Sequence, residues 1–396
     1  MPVKNNSIPV LTLHKGREKS IYNRHPWIFS GAVRQLPQAE NGDIVQVNDA
    51  QGNQLGYGFF SPKSQIICRM VAFGTQTLSF DASFWWQKLE KAFALRQQLF
   101  DPAQTNAYRL VHAEGDFFPG LIIDIYHHTA VVQLLTKATE RLHELLLEGL
   151  QRLGIRHIYF KIKENSAWLE EVSIKAGWAT AAPTLPIAIV ENGHKFEVDV
   201  EKGQKTGFFL DQRDNRQLLA QYCQGKRVLN TFCYTGGFSV YALAGGAKEV
   251  HSVDISKEAI KGCEQNILQN FGAQAPHEAW AADSFDFLRQ HEGYDVVILD
   301  PPAFAKSAKT VANATRGYKD LNLSGMKRIT PGGILFTFSC SGNISRDLFR
   351  KIVFGAAADA QRNVRILHQL TQPTDHPVSI FHPEGEYLKG LVLQIE

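Results

Sequence analysis

One stretch constrains the chain more than any other: Lys226 to Asp254, KRVLNTFCYTGGFSVYALAGGAKEVHSVD. A short apolar run, Val228-Leu229, leads into a small, hydroxyl-bearing loop from Asn230 to Gly237. A helical stretch, Phe238 to Ala244, follows, and a second apolar run, Val250 to Val253, closes on Asp254. Strand, glycine turn, helix, strand and acid make one βαβ half of a nucleotide-binding sheet. Glycine lets backbone approach a ligand closely, the helix N-terminus offers free N–H groups, and the acid can accept from ribose hydroxyls. The loop does not spell G-x-G-x-x-G, so nothing here is built for a pyrophosphate. Thr235-Gly236-Gly237, with the acid 17 residues after Gly237, suits a nucleoside without phosphates, and S-adenosylmethionine is the obvious one. The plainer alternative is a doubly wound domain with an ordinary glycine turn.

At 396 residues the chain has room for two or three domains with cores of their own. Its 44% apolar and 20% charged content is that of a soluble globular protein. No run of 18 apolar residues predicts a membrane span, and the N-terminus lacks a signal peptide's apolar core. The five cysteines (Cys68, Cys223, Cys233, Cys263, Cys340) have no C-x-x-C spacing. This argues against disulfides or zinc and for a reducing cytoplasm. No histidine has a ligand-like partner, so no metal is expected. The net charge of +3 is too small to imply nucleic acid by itself. Residues 1–74, however, hold eight Lys/Arg against four acids, so the positive excess sits at the N-terminus.

Residues 1–74 read as a small β-rich module, with strand-like runs Ile44–Val47 and Ile66–Val71 between turns. HKGREKS followed by RHPWIFSGAV combines bases, a glycine turn and aromatics. That arrangement suits RNA phosphates with stacking, through Lys15, Arg17, Lys19, Arg24 and Trp27. Alternatively, Trp27 is barrel core and the lysines are merely solvated. Residues 75–186 alternate strand and helix patterns as a small α+β domain without evident chemistry. A Pro-rich linker, Ala181 to Pro186, precedes a third domain, 187–396. That domain opens on a hairpin turning at Asn192-Gly193. The dense run Glu201 to Leu219 comes next, with Asp211 predicted as a helix cap.

Further strand ends carry chemistry. Asp283 follows a strand near Glu278–Ala281 and reads either as an acceptor for an adenine amino group or as a helix N-cap. YDVVILDPPAF (Tyr294 to Phe304) is a buried strand ending in an acid and two prolines. Proline stiffens the loop, which suits Asp300, Pro301, Pro302 and Phe304 to holding a planar base. In PGGILFTFSCSGNIS (Pro331 to Ser345), Cys340 follows the next strand. Carbon 5 of a pyrimidine is a weak nucleophile until a thiolate adds at carbon 6, so a thiol at this edge points to covalent catalysis. The competing reading is a buried, inert cysteine.

Three stretches together resemble one family: GQKTGFFLDQRDNR (Gly203 to Arg216), VLNTFCYTGGFSV (Val228 to Val240), and LDPPAFAKS with FSCSG. RGYKDLN (Arg316 to Asn322), HPEGEYLKG (His382 to Gly390) and HPWIFSGAV also match. The chain is similar to bacterial large-subunit ribosomal RNA cytosine-C5 methyltransferases of the RlmI type, over essentially its whole length. The resemblance implies an α/β fold: a Rossmann-like methyltransferase domain preceded by a small β-barrel-like PUA domain and a small α+β domain. It implies S-adenosylmethionine as cofactor and 23S ribosomal RNA as partner. It also implies that Phe208, Leu210, Asp211 and Arg213 lie around cofactor and target base. Asn230, Phe232, Tyr234, Thr235 and Gly236 would serve the methionine part, Asp254 the ribose, Asp283 the adenine, and Asp300 the cytosine edge, with Cys340 as nucleophile. Many cytosine-C5 RNA methyltransferases carry a second cysteine after the Pro-Pro pair; here Ala303 stands there, a feature shared with RlmI-like enzymes. KIKENSAWLEE (Lys161 to Glu171) also departs from the Arg-rich run usual in the family.

The expected activity is therefore methylation of a 23S ribosomal RNA cytosine at carbon 5 through Cys340. A base-nitrogen methyltransferase, on guanine for example, and a non-catalytic ribosome-assembly RNA binder are the alternatives. The target nucleotide and homodimer formation stay open.

Overall fold

Alternating burial builds the first sheet. In β4 (Ile44–Asn48), Val45 and Val47 are fully buried between half-exposed neighbours, as expected of a strand with one face on a core. It lies with β1 (Val10–Leu13), β2 (Trp27–Phe29), β3 (Val33–Gln35), β5 (Gln54–Phe60) and β6 (Ile66–Phe73). The spatial order is β2-β6-β5-β4-β1-β3, and β1–β4 is a parallel pair. A second sheet, ordered β11-β10-β9-β8-β7, contains β7 (Ala107–His112), β8 (Leu121–Tyr126), β9 (Thr129–Leu134), β10 (His157–Phe160) and β11 (Gly177–Trp178). The helices Ala82–Leu99 and His143–Arg152 contribute Trp85, Leu89, Leu146 and Leu150 to its core. This computed structural model describes residues 8–162, 170–305 and 307–396, so most of the Lys161–Glu171 run lies outside the described residues.

Both sheets belong to one compact unit, Met1–Val190 with Val198–Phe208 and Thr374–Gly385. Buried ions tie the last segment in. Arg96, 1% exposed, makes a two-pronged pair with Asp116 at 2.5 and 2.7 Å. The same guanidinium donates to the carbonyls of Arg109 and Asp375, each at 2.8 Å. The Asp375 carboxylate accepts from the Arg109 amide at 2.8 Å. Arg109 in turn forks onto Asp124 at 2.7 and 2.9 Å. Buried charge is tolerable only with partners of this quality.

The second unit comprises Glu191–Glu197, Phe209–Pro373 and Glu386–Glu396. Its sheet is ordered β16-β15-β14-β17-β18-β20-β19. Four parallel pairings join β14 (Arg227–Thr231), β15 (Glu249–Asp254), β16 (His277–Ala281), β17 (Tyr294–Leu299) and β18 (Ile329–Ser339). The last strand, β20 (Lys389–Ile395), runs antiparallel between β18 and β19 (Val364–Leu370). Val228 to Thr231 are all buried, the near-continuous apolar pattern of a strand covered on both faces. From β14 the chain winds outward through β15 and then back through β17, so the sheet's switch point lies at β14/β17. Thr231 is level with Val253 and Leu299, and Leu299 with Thr337. Four strands therefore end along one edge.

The turn Asn192-Gly193, between β12 (Ile187–Glu191) and β13 (His194–Val198), has φ of 49° and 81°, the left-handed pair that a two-residue hairpin turn requires. The neighbouring Glu191 is fully buried and accepts from Arg216 at 2.7 to 2.9 Å and from the Tyr241 hydroxyl at 3.1 Å. This pins the helix Arg213–Ala220. Among the described residues no helix is long and apolar enough to cross a membrane.

Replacing Asp116 by Ala would strand the Arg96 guanidinium in the core. Denaturant unfolding is expected to show a loss of about 3–5 kcal/mol, whereas Asp286→Ala, on an exposed ion pair, should cost under about 1 kcal/mol.

Candidate active site

The loop after β14 is held in an uncommon backbone shape. Phe232, Tyr234 and Gly236 have φ of 54°, 48° and 78°. Side-chain-bearing residues seldom adopt such angles except where the surroundings enforce them, often at functional sites. Here the Tyr234 amide donates to Asp254 Oδ2 at 2.9 Å and the Phe232 amide to Ser284 Oγ at 3.2 Å. Asn266 donates to the Thr235 carbonyl at 2.9 Å. A Cβ on Gly236 would stand 2.4 Å from the Cys263 sulfur, so the position must be glycine. Two buried polar atoms of the loop, Asn230 Oδ1 and Thr235 Oγ1, have no hydrogen-bond partner among the described residues. Leaving such atoms unsatisfied costs free energy. The loop therefore fits a polar, hydrogen-bonding ligand, and the amino-acid end of S-adenosylmethionine has that character.

Asp254, 9% exposed, accepts from the Ser256 amide at 2.9 Å with one oxygen and from Tyr234 with the other. Each carboxylate oxygen keeps further accepting capacity, as a diol ligand requires. Asp283 caps the helix Ser284–Gln290: its Oδ1 accepts from the amides of Phe285 and Asp286 at 2.8 and 3.1 Å.

On the other side of β14, β17 ends at Asp300, whose Oδ2 accepts from Gln212 Nε2 at 3.0 Å. Gln212 is itself oriented by Asn215, which donates to its Oε1 at 2.6 Å. Cys340 follows the last residue of β18, with its sulfur 4.0 Å from the Pro301 carbonyl. Ser341 fastens the two loops together: its Oγ accepts from the Ala305 amide at 3.2 Å and meets the Tyr318 hydroxyl at 3.0 Å. Pro301 is buried and Pro302 exposed, while the Phe304 ring packs 4.6 Å from Tyr318. All five cysteines are thiols, and Cys340 alone is half-exposed. Burial pushes Cys68 and Cys223 up to about 12 and Cys233 well above the ordinary thiol range. These three thiols are therefore held protonated and unreactive.

The segment before the loop departs from expectation at one point. Asp211 is not a helix cap. It sits in the short turn Leu210–Gln212, and its Oδ2 accepts from the Tyr387 hydroxyl at 2.7 Å. The helix starts after it, with Gln212 in the cap position. Leu210 is buried, and Arg213 lies 3.5 Å from the buried Glu191 carboxylate. In the other unit, Phe208 is buried and its amide donates to the Tyr126 hydroxyl at 3.3 Å. Sequence reasoning did not single out Gln212 or Tyr387, although both stand inside the matching motifs GQKTGFFLDQRDNR and HPEGEYLKG.

In the N-terminal sheet's unit, Lys15, Arg17 and Lys19 are exposed. The Arg24 guanidinium lies 5.1 Å from the Phe73 ring centre. The Trp27 indole donates to Glu114 at 2.8 Å and its ring packs 4.4 Å from His382. Both partners are remote in sequence. Among the described residues no cluster of three or more metal-ligating side chains occurs.

Gly236→Ala is expected to destabilise the protein by about 1–3 kcal/mol through the left-handed backbone and the Cys263 clash. Thermal unfolding checks this, with Gly342→Ala, where a Cβ meets nothing, as the neutral reference.

Comparison with known proteins bears on this geometry. The S-adenosylmethionine-dependent methyltransferase family matches residues 168–383, and the PUA-like domain family matches residues 11–73. Proteins named ribosomal RNA large subunit methyltransferase I match over nearly their whole length. The one from Tolumonas auensis is 43% identical over 96% of this chain and 98% of its own. That from Shewanella denitrificans is 43% identical over 97% and 99%. Among solved structures, SMU.776, a candidate methyltransferase complexed with SAH, superposes with a TM-score of 0.85. It is 24% identical and covers 98% of this chain and 100% of its own, a likeness of fold.

Proposed function

The chain belongs to the ribosomal RNA large subunit methyltransferase I family of S-adenosylmethionine-dependent methyltransferases, and from that premise we propose that it methylates a cytosine of 23S ribosomal RNA at carbon 5 through a covalent Cys340 adduct. One observation carries the reading. Asp300 and Cys340 close adjacent parallel strands, and the thiol lies 4.0 Å from the Pro301 carbonyl beside Asp300.

Asn230 to Gly236 and Asp254 would hold S-adenosylmethionine, with Asp283 toward the adenine and Leu210, Asp211 and Arg213 bordering the site. That ligand supplies an electrophilic methyl group, taken up by an activated carbon 5 to leave S-adenosylhomocysteine. This chain's residues supply the activation. The base is flipped from its stack and gripped by Asp300 with Pro301, Pro302 and Phe304. The Cys340 thiol gives up its proton and its sulfur bonds to carbon 6, which pushes the ring's π electrons toward carbon 5. After methylation a base removes the carbon-5 proton, the double bond re-forms, and Cys340 leaves as thiolate. Ala303 stands where a second thiol would assist that release, so the departing thiolate depends on its own surroundings.

Lys15, Arg17, Lys19, Arg24 and Trp27 of the PUA-like module would add RNA contact, and the enzyme would work in the cytoplasm on ribosomal RNA. Base-nitrogen methylation needs no thiol at the site, and the half-exposed Cys340 weighs against it.

Cys340→Ala is expected to bind S-adenosylmethionine as wild type does by calorimetry yet to yield no 5-methylcytosine by nucleoside mass spectrometry. Full activity of that variant would overturn the covalent route, and a methylated purine would transfer the assignment to base-nitrogen chemistry. Asp254→Ala, which removes charged hydrogen-bond acceptors worth about 1.5–3 kcal/mol, should weaken that binding about 10- to 100-fold.

A further inference from the structure

Behind the Cys340 loop lies a buried cation that the covalent route itself leaves unused. Lys389 opens β20, level with Ser339 across the antiparallel β18–β20 pairing. It is 4% exposed. Its ammonium donates to the carbonyls of Ser341 and Ile344, each at 2.7 Å. Those carbonyls bracket the turn from Ser341 to Ile344, which directly follows Cys340. Two N–H groups are thereby satisfied, but the charge is not: carbonyls solvate an ammonium without neutralising it, and a buried charge is costly unless paired.

Among the described residues no carboxylate lies within ion-pair distance of Lys389. Glu386, whose field also favours the charged lysine, is engaged by Arg346, whose Nε donates to it at 2.6 Å, and Arg346 adds a repulsive charge. From the helix Val311–Arg328, Tyr318 faces the same loop, and its hydroxyl is engaged by Ser341. The anion most able to balance Lys389 is the thiolate of Cys340, whose field favours the charged lysine. Burial works against that charge and lowers the ammonium to about 8. The cation is thus most secure when Cys340 is ionised, and a neighbouring cation favours a thiolate in return.

We propose that Lys389 is the positioning residue of this site, fixing the turn that directly follows Cys340 and acting as counter-cation to its thiolate, both when the thiol ionises to attack carbon 6 and when it departs at the end. The proton lost on ionisation passes to solvent or buffer, and Lys389 keeps its own. The inference rests on Cys340 being the nucleophile. It supplies locally what the absent second cysteine cannot: a better leaving group, because a stabilised thiolate is expelled more readily.

The test is the pH dependence of two rates. In the wild-type protein, alkylation of Cys340 by iodoacetamide, followed on its tryptic peptide by mass spectrometry, should rise with an apparent pKa below the ordinary thiol value of about 8.5. In Lys389→Met that midpoint, and the acid limb of kcat/KM on 23S ribosomal RNA, should move up by about one pH unit or more. Lys389→Arg, which keeps the charge, should restore the wild-type limb at least in part. Calorimetric binding of S-adenosylmethionine should match wild type in both variants and reports that the fold is intact. A lysine that merely braces the turn would lower the rate at every pH without moving the limb, and that result overturns the proposal. If Lys389→Met does not fold, the wild-type alkylation profile decides, and a midpoint at or above about 8.5 refutes it. Should Cys340→Ala prove active, the nucleophile reading fails. An inactive Cys340→Ala beside an unshifted Lys389→Met refutes only the counter-cation role of Lys389 and leaves the nucleophile in place.

Discussion

Parallel pairing of β14, β15, β17 and β18 is the constraint on which the rest depends. Parallel strands in register must end on the same side, and here Thr231, Val253, Leu299 and Thr337 stand level. Whatever follows those residues is delivered to one edge: the loop from Phe232, then Asp254, Asp300 and Cys340. Between the first and last of these lie more than a hundred residues of helix and strand, and the sheet removes that separation. The switch point between β14 and β17 opens the crevice in which such sheets take ligands.

Order at that edge is then secured by hydrogen bonds whose partners come from outside the four strands. Gln212 fixes Asp300, Ser341 and Tyr318 fasten the Asp-Pro-Pro loop to the Cys340 loop, and Lys389 grips the latter from β20. Each contact is buried or half-buried, where a hydrogen bond is stronger and an unmet polar group more costly than in water. A rigid edge of this kind suits a reaction in which a thiol must reach one ring carbon while its neighbour accepts a methyl group, because positioning carries much of the barrier.

Much of this was legible in the chain itself. Val228-Leu229 and Val250–Val253 announce buried strands, Asn192-Gly193 a hairpin turn, and the stretch from Lys226 to Asp254 the strand–loop–helix–strand unit of the parallel sheet. These signals are local: apolar runs, turn residues and spacing. Asp211 shows where locality fails. Its position favours a helix cap, but the Tyr387 hydroxyl, 176 residues on, claims the carboxylate. Trp27 reads either as a stacking ring or as barrel core, and neither reading foresees its contacts with the remote Glu114 and His382. Lys389 looks like any lysine beside a strand, and only the β18–β20 pairing reveals it as a buried cation behind a thiol. Pairings across long stretches of chain leave no periodic trace, so the supporting contacts of the site were hidden while its strand ends were not.

The central claim is a bond between Cys340 and carbon 6 of the target cytosine, and one measurement addresses it directly. Incubating the protein with S-adenosylmethionine and 23S ribosomal RNA containing 5-fluorocytidine blocks the final elimination, since fluorine cannot leave as a proton does. Digestion followed by mass spectrometry should then find the nucleotide, methylated, on the peptide bearing Cys340. Methylation of ordinary cytosine-containing RNA with no adduct trapped from the fluorinated RNA, or with the adduct on another residue, would contradict the account.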